Sequence, residues 1–197
     1  MNAIILAGGK SSRFGSNKAL YKLNQKPMLI NIIEKLEPIF DKVYVIGNDE
    51  YKYEGLFKTE YLTDVILDKG PLGGLYTGLK TTDSDYNYLQ ACDMPFVSRE
   101  YLEYMKDYIT INKGYDAYIP KKDGYLEPFV GIYHKRIKKN ILKLLNKDNL
   151  NFDYLFKEIN IKVINEEEIK EIVDTERIFF NINKKEDIKR YEGFKAK

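Results

Sequence analysis

Between Leu6 and Gly15 the chain reads Leu-Ala-Gly-Gly-Lys-Ser-Ser-Arg-Phe-Gly, with three glycines and two serines in the eight residues after Ala7. Residues this small let successive backbone N–H groups converge on one anion, so the segment is predicted to cradle phosphate. Arg13 lies within it and Lys18 just beyond; the first offers a planar fork of donors, the second a point charge. An ordinary strand-to-helix turn needs one or two glycines and neither cation. Two familiar phosphate loops are excluded by spacing. Gly9-Lys10-Ser11 would need a glycine at Ile4 to form a P-loop, and no G-x-G-x-x-G occurs.

Three further places could serve the same anion. Cys92-Asp93-Met94-Pro95 follows an apolar stretch, which puts the Asp93 carboxylate at a strand end, where it is either a magnesium ligand or a turn residue capping backbone N–H groups. Gly70-Pro71-Leu72-Gly73-Gly74 is a second glycine-rich junction that would let backbone approach a base or ribose, with Asp64 and Asp68 upstream of it. Asp64 is the favoured nucleotide contact because it ends a predicted strand, whereas Asp68 belongs to the loop. Asn183, three residues before Glu186, reads first as the cap of a last helix. Neither Cys92, inside an apolar strand, nor His134 reads as a nucleophile.

The elements that must position these residues follow from periodicity. Ala3 to Ala7 is a buried strand that stops at the glycines. Pro27 suits a helix start, and Met28, Leu29, Ile32, Ile33 and Leu36 recur at helical spacing before a strand at Val43 to Ile46. That order is the right-handed crossover of a parallel sheet. The alternation predicts a strand at Tyr61 to Thr63, a helix at Leu72 to Lys80, a strand at Tyr88 to Cys92, and a helix capped by Ser98. Asp123-Gly124 between Ala117-Tyr118-Ile119 and Phe129 to Tyr133 predicts an antiparallel hairpin in the sheet. Helices are expected at Lys135 to Leu145 and Phe152 to Glu158, a short strand at Phe179 to Asn181, and a final helix after Asn183. The fold class is α/β, and the glycine loop lies at the carboxyl ends of the strands, where open parallel sheets bind ligands.

Composition narrows the function classes. The 197 residues carry 44% apolar content, enough for one domain spanning 1–197. Lys plus Arg total 32 against 30 acidic residues, so no basic field points to nucleic acid or an anionic membrane. One cysteine and one histidine exclude thiolate or histidine-rich metal sites, leaving oxygen ligands for any metal. The first apolar run is too short for a signal peptide core or a membrane span, so a cytoplasmic protein is expected.

Taken in order, Leu6-Ala7-Gly8-Gly9 with Ser12-Arg13-Phe14-Gly15 and Lys18, then Gly70-Pro71-Leu72-Gly73-Gly74, then Cys92-Asp93-Met94-Pro95-Phe96, resemble the molybdenum cofactor guanylyltransferase family. Glu127-Pro128, Gly131-Ile132-Tyr133 and Phe180-Asn181-Ile182-Asn183 resemble its later motifs, so the likeness spans nearly the whole chain. The resemblance implies a Rossmann-like three-layer sandwich with a mostly parallel mixed sheet, of the nucleotide-diphospho-sugar transferase type. It implies transfer of GMP from GTP to the molybdopterin cofactor with Mg²⁺, and transient contact with proteins that insert or receive that cofactor. By the same likeness, Leu6, Ala7, Gly8 and Gly9 hold GTP, Lys18 and Asp64 contact it, Asp93 binds nucleotide and metal, and Arg13 lies along the triphosphate. Asn183 would stand on the metal or cofactor side. Leu6-Ala7-Gly8-Gly9 looks like the guanylyl form, since related cytidylyltransferases tend to carry alanine at the position of Gly8. Asn17 departs from an acidic residue frequent in the family, and the short stretch from Asp64 to Gly70 keeps both Asp64 and Asp68 as candidates.

Overall fold

The computed structural model describes residues 1–8, 18–48, 53 and 55–195. Its central strand, β1 (Asn2–Leu6), is buried along its whole length, as its unbroken apolar run Ala3 to Leu6 demands. The other strands are β2 (Lys22–Leu23), β3 (Lys26–Pro27), β4 (Val43–Gly47), β5 (Glu60–Thr63), β6 (Tyr86–Ala91), β7 (Ala117–Lys122), β8 (Tyr125–Leu126), β9 (Ile132–His134) and β10 (Ile161–Ile164). The helices are α1 (Met28–Leu36), α2 (Gly70–Thr81), α3 (Arg99–Ile111), α4 (Lys138–Asn146), α5 (Phe152–Glu158), α6 (Glu166–Lys170), α7 (Thr175–Ile178) and α8 (Glu186–Lys195).

The main sheet runs β10-β7-β9-β6-β1-β4-β5, with β8 paired to β7, while β2 and β3 form a separate small ribbon. Pairings of β1 with β4 and β6, of β4 with β5 and of β7 with β10 are parallel. Strand β9 is antiparallel to both its neighbours. The expected mostly parallel mixed sheet is therefore present, and alternate residues of β1 divide the core between its faces. Ala3 and Ile5 pack with Met28, Ile32 and Leu36 of α1 and with Leu102 and Met105 of α3. Ile4 and Leu6 pack with Leu72, Leu75 and Leu79 of α2 and with Ile141 and Leu144 of α4. Two helical layers thus cover one sheet, and each fully buried Ile or Leu contributes about 1.5–3 kcal/mol.

Helix α2 lies unusually close to β1. A Cβ on Gly74 would stand 2.7 Å from Leu6 Cδ2, and one on Gly78 would stand 2.6 Å from Ile4 Cδ1. Two glycines four residues apart present a bare stripe on one helix face, and the strand side chains fill it.

Helix α1 begins after Pro27 as expected, and Ser98 caps α3, its side chain accepting from the Tyr101 N–H at 3.2 Å. The Asp123–Gly124 turn has φ values of 47° and 87°, the pair of positive angles that a two-residue hairpin requires. It joins β7 to the short β8; β9 then returns to pair with both β7 and β6. One expectation is corrected: Phe179 to Asn181 forms no strand. Phe179 closes α7, and Phe180 packs against Phe96 and Phe194, so these side chains are used for packing rather than in a ladder. Strand β10 and the short helices α6 and α7 had no counterpart in the sequence reading.

Candidate functional site

The carboxyl ends of β5, β4, β1 and β6 lie side by side along one edge of the sheet. Just past the strand ends, the Ala7 N–H donates to the Ile46 carbonyl at 2.8 Å and the Cys92 N–H to the Leu6 carbonyl at 3.1 Å. Leu6, Ala7 and Gly8 are thereby fixed as the floor between two parallel neighbours. Tyr53 Oη donates to the Ala7 carbonyl at 3.1 Å. Gly8 passes close to Gly47, where a Cβ would meet Tyr61 Oη at 2.7 Å. Gly9 and Arg13 lie outside the described residues.

Asp64 follows β5 directly, and its carboxylate is hydrogen-bonded by Thr77, at 3.4 Å, and by Asn48. Partial burial pushes this carboxyl above the usual aspartate range, with the two hydrogen bonds opposing the rise. Asp68 is exposed in the following loop with φ of 57°. The strand end therefore presents Asp64 rather than Asp68 at the edge.

On the other side of β1, Lys18 opens a 3₁₀ turn, Lys18–Leu20, and reaches across to the end of β6. Its Nζ lies 3.0 Å from Asp93 Oδ2 and 3.1 Å from Asn183 Oδ1. The lysine and aspartate side chains retain 14% and 26% exposure, so the pair is sheltered yet reachable. Three residues far apart in the chain are thus brought to one point.

Their positions are set from beneath. Gln90, a fully buried amide in β6, donates to the Ala91 carbonyl at 3.2 Å and the Met94 carbonyl at 2.9 Å, and accepts from Tyr88 Oη at 2.7 Å. Buried polar groups need such partners, and this one pins the corner that carries Asp93. The Ile182 N–H donates to the Asp93 carbonyl at 2.9 Å, tying Asn183 to the same corner. The expected Asn183–Glu186 cap is corrected. Asp187 Oδ2 accepts from both the Asn183 and Lys184 N–H groups at 2.8 Å, which releases the Asn183 side chain toward Lys18. Phe96, Phe180, Tyr191 and Phe194 stack behind this segment, with Arg177 over Phe96 and Arg190 over Phe180. Sequence reasoning missed Gln90, Asn48 and Asp187; the one legible signal was a glutamine within the predicted Tyr88 to Cys92 strand, whose other residues are apolar or aromatic.

The bland readings of Cys92 and His134 hold. Burial pushes the Cys92 thiol up to about 12, which suppresses the thiolate. His134 pairs with Tyr86 at the start of β6, the opposite edge of the sheet, and its ring accepts from the Arg136 N–H.

Among the described residues no group of three or more His, Cys, Asp and Glu side chains could hold a metal. One carboxylate and one amide oxygen, from Asp93 and Asn183, do converge there. That donor set fits Mg²⁺, which takes one or two protein oxygens and completes its shell with phosphate and water. No helix among the described residues is long and apolar enough to cross a membrane.

The MobA-like NTP transferase domain matches residues 3–158. A probable molybdenum cofactor guanylyltransferase of Peptoclostridium acidaminophilum is 34% identical, covering 96% of this chain and 87% of its own. The molybdenum cofactor guanylyltransferase of Syntrophotalea carbinolica is 32% identical over 96% of this chain and 90% of its own. The crystal structure of molybdopterin-guanine dinucleotide biosynthesis protein A from Archaeoglobus fulgidus superposes with a TM-score of 0.86 at 26% identity, covering 100% of this chain and 99% of that one.

Proposed function

The chain belongs to the molybdenum cofactor guanylyltransferase family and is a nucleotidyltransferase, and we propose that it transfers GMP from GTP to the phosphate of the molybdenum–molybdopterin cofactor, releasing pyrophosphate. Residues 1–197 act in this reading as one nucleotidyltransferase domain in the cytoplasm. The observation that carries it is the meeting of Lys18, Asp93 and Asn183 beside Gly8, at the carboxyl edge of a parallel sheet. It is a charged, oxygen-rich point next to a backbone-lined floor, which suits a triphosphate.

In the reaction, an oxygen of the acceptor's phosphate monoester attacks the α-phosphorus of GTP. A new P–O bond forms, the bond to the β-phosphate bridging oxygen breaks, and pyrophosphate departs with the electron pair. A phosphate monoester has a second pKa of about 6, so at neutral pH it is largely dianionic and needs no base from the protein. The chain's task is alignment and charge stabilisation. Leu6, Ala7, Gly8 and Gly9 bind nucleotide through backbone, Asp64 holds its nucleoside end, and Lys18 and Arg13 neutralise charge that grows on the leaving group. Asp93, with Asn183 beside it, would hold Mg²⁺, which would supply further neutralisation of phosphate charge.

Two measurements test this. In thermal-shift titrations with Mg²⁺, GTP is expected to stabilise the protein more than CTP, UTP or ATP; equal or greater stabilisation by CTP would reassign the base. Pyrophosphate release from GTP and molybdopterin is expected to fall roughly 10²–10³-fold in Asp93→Ala. Tight GTP binding by the unmodified protein with no turnover on the acceptor would instead mark a binding protein.

A further inference from the structure

The carboxyl edge of the sheet continues past Asp93 over β9 and β7. The chain that crosses it there is the β7–β8 hairpin and the Glu127–Pro128 segment that leads into the 3₁₀ turn Pro128–Val130. This backbone is held firmly. The Glu127 N–H donates to the Pro120 carbonyl at 2.8 Å. Tyr133 Oη donates to the Pro128 carbonyl at 2.8 Å and Tyr101 Oη to the Val130 carbonyl at 2.8 Å, both from rings buried in the core. The turn itself packs on β6, the strand that carries Asp93.

The Glu127 side chain is treated differently from its backbone. It is partly buried, yet among the described residues no hydrogen bond or ion pair engages its carboxylate. Lys122, the cation that acts on it, is committed to Glu176 at 2.7 Å. Burial pushes the Glu127 carboxyl upward, with Lys122 only partly offsetting it. A half-desolvated carboxylate without donors is unfavourable in the free protein and becomes favourable once two donors reach it.

Its place along the edge says which donors. Asp64 stands on the β5 side of β1, Asp93 on the β6 side, and Glu127 beyond Asp93. If GTP spans from Asp64 to Asp93, in-line displacement leaves the side over β9 and β7 for the attacking molecule. A pterin carries a 2-amino-4-oxopyrimidine edge on which a ring N–H and an amino N–H lie side by side. Two parallel N–H donors are the complement of one carboxylate, as in guanidinium–carboxylate pairs.

We propose that Glu127 is the specificity residue of the acceptor subsite, its carboxylate accepting the paired N–H groups of the pterin's pyrimidine edge. The inference rests on the guanylyltransferase reading, and the experiment separates the two. Pterin, and lumazine as its analogue with oxygen in place of the 2-amino group, are titrated by fluorescence into the full chain with GTP and Mg²⁺; no turnover is needed. The unmodified protein should prefer pterin by roughly tenfold or more. Glu127→Gln should lose or reverse that preference, because an amide donates to lumazine's oxygen while still accepting from its ring N–H. In steady-state transfer the same variant should raise KM for molybdopterin roughly tenfold to a hundredfold with kcat and the GTP thermal shift little changed. An unchanged pterin preference in Glu127→Gln, or a fall in kcat with KM unmoved, overturns the proposal. Glu127-dependent pterin binding without any transfer by the unmodified protein would keep the subsite and remove the guanylyltransferase reading.

Discussion

The two ends of the site edge are built by different means. On the β5 side the sheet is parallel and Gly8 passes Gly47 backbone to backbone, over a core in which Gly74 and Gly78 of α2 seat the helix on the Leu6 and Ile4 side chains. On the β9 side the sheet turns antiparallel, and the hairpin is tied down by side chains. Glu166, only 8% exposed, accepts from the Asp123 N–H at 3.1 Å, from Thr175 Oγ1 at 2.9 Å and from Lys170 Nζ at 3.0 Å. A backbone wall admits a ligand common to many enzymes at close range, whereas a side-chain scaffold can be altered one residue at a time to suit an acceptor. In the proposed reading the generic nucleotide falls to the first half and the particular acceptor to the second.

The sharpest way to break that division is Glu166→Gln. The Asp123 N–H first, then Lys170 and Thr175, hold the Glu166 carboxyl down at about 2, below its ordinary 4.5. A depressed carboxylate contributes its stability in full above the ordinary value and loses it as pH falls toward the folded one. The substitution should therefore cost about 2 kcal/mol near pH 7, or roughly 5 °C in Tm, with the difference closing between pH 4.5 and about 2. Thermal unfolding at stepped pH checks the sign. If the halves are separable, KM for the acceptor rises while the GTP shift stays put; equal weakening of both would show one coupled site.

A smaller effect probes the backbone wall. In Gly78→Ala the new methyl would meet Ile4 Cδ1 at 2.6 Å and two more Ile4 carbons at 2.9 Å in a fully buried setting. Overpacking costs about 1–3 kcal/mol and better helix propensity returns up to about 1, so a net loss of about 1 kcal/mol is expected in urea denaturation. Gly193→Ala in α8, where nothing lies within 4 Å, should instead gain a few tenths of a kcal/mol to about 1. Equal outcomes at the two glycines would mean that α2 does not need its close seat on β1.

The same contrast explains what the sequence made legible. The proposed nucleotide half is written in contiguous segments: an apolar run ending in glycine, the glycine-rich Gly70–Gly74 junction that opens a helix, and an aspartate after a strand. Local patterns of that kind reveal the element and suggest the role. The second half, and the Lys18–Asp93–Asn183 point between the two, depend on residues distant in the chain. Asn183 reads as a helix cap because Glu186 follows it, but its side chain meets Lys18 165 positions away. The tie from Asp123 to Glu166 spans 43 positions, so the hairpin was legible from Asp123–Gly124 but its anchor was not. Phe179 to Asn181 has strand-like residues whose packing against Phe96 and α8 overrode the local tendency.

A last small effect is again a gain, and it concerns Asp64. Burial raises this carboxyl above the ordinary 3.8 despite its bonds to Thr77 and Asn48. The folded protein then holds the proton more tightly than the unfolded chain, so the contribution of this group to stability falls as pH rises through the folded value. At neutral pH the ionised form is a net cost. Asp64→Asn removes that cost while its carbonyl can still accept from Thr77, and should raise stability by about 1 kcal/mol or less. The gain should shrink as pH is lowered through the raised folded value toward the ordinary 3.8. If Asp64 holds the nucleoside end of GTP, the same substitution weakens the GTP thermal shift while pterin binding through Glu127 is retained. A protein stabilised by Asp64→Asn with undiminished GTP binding would instead leave the nucleotide half to backbone and cations alone.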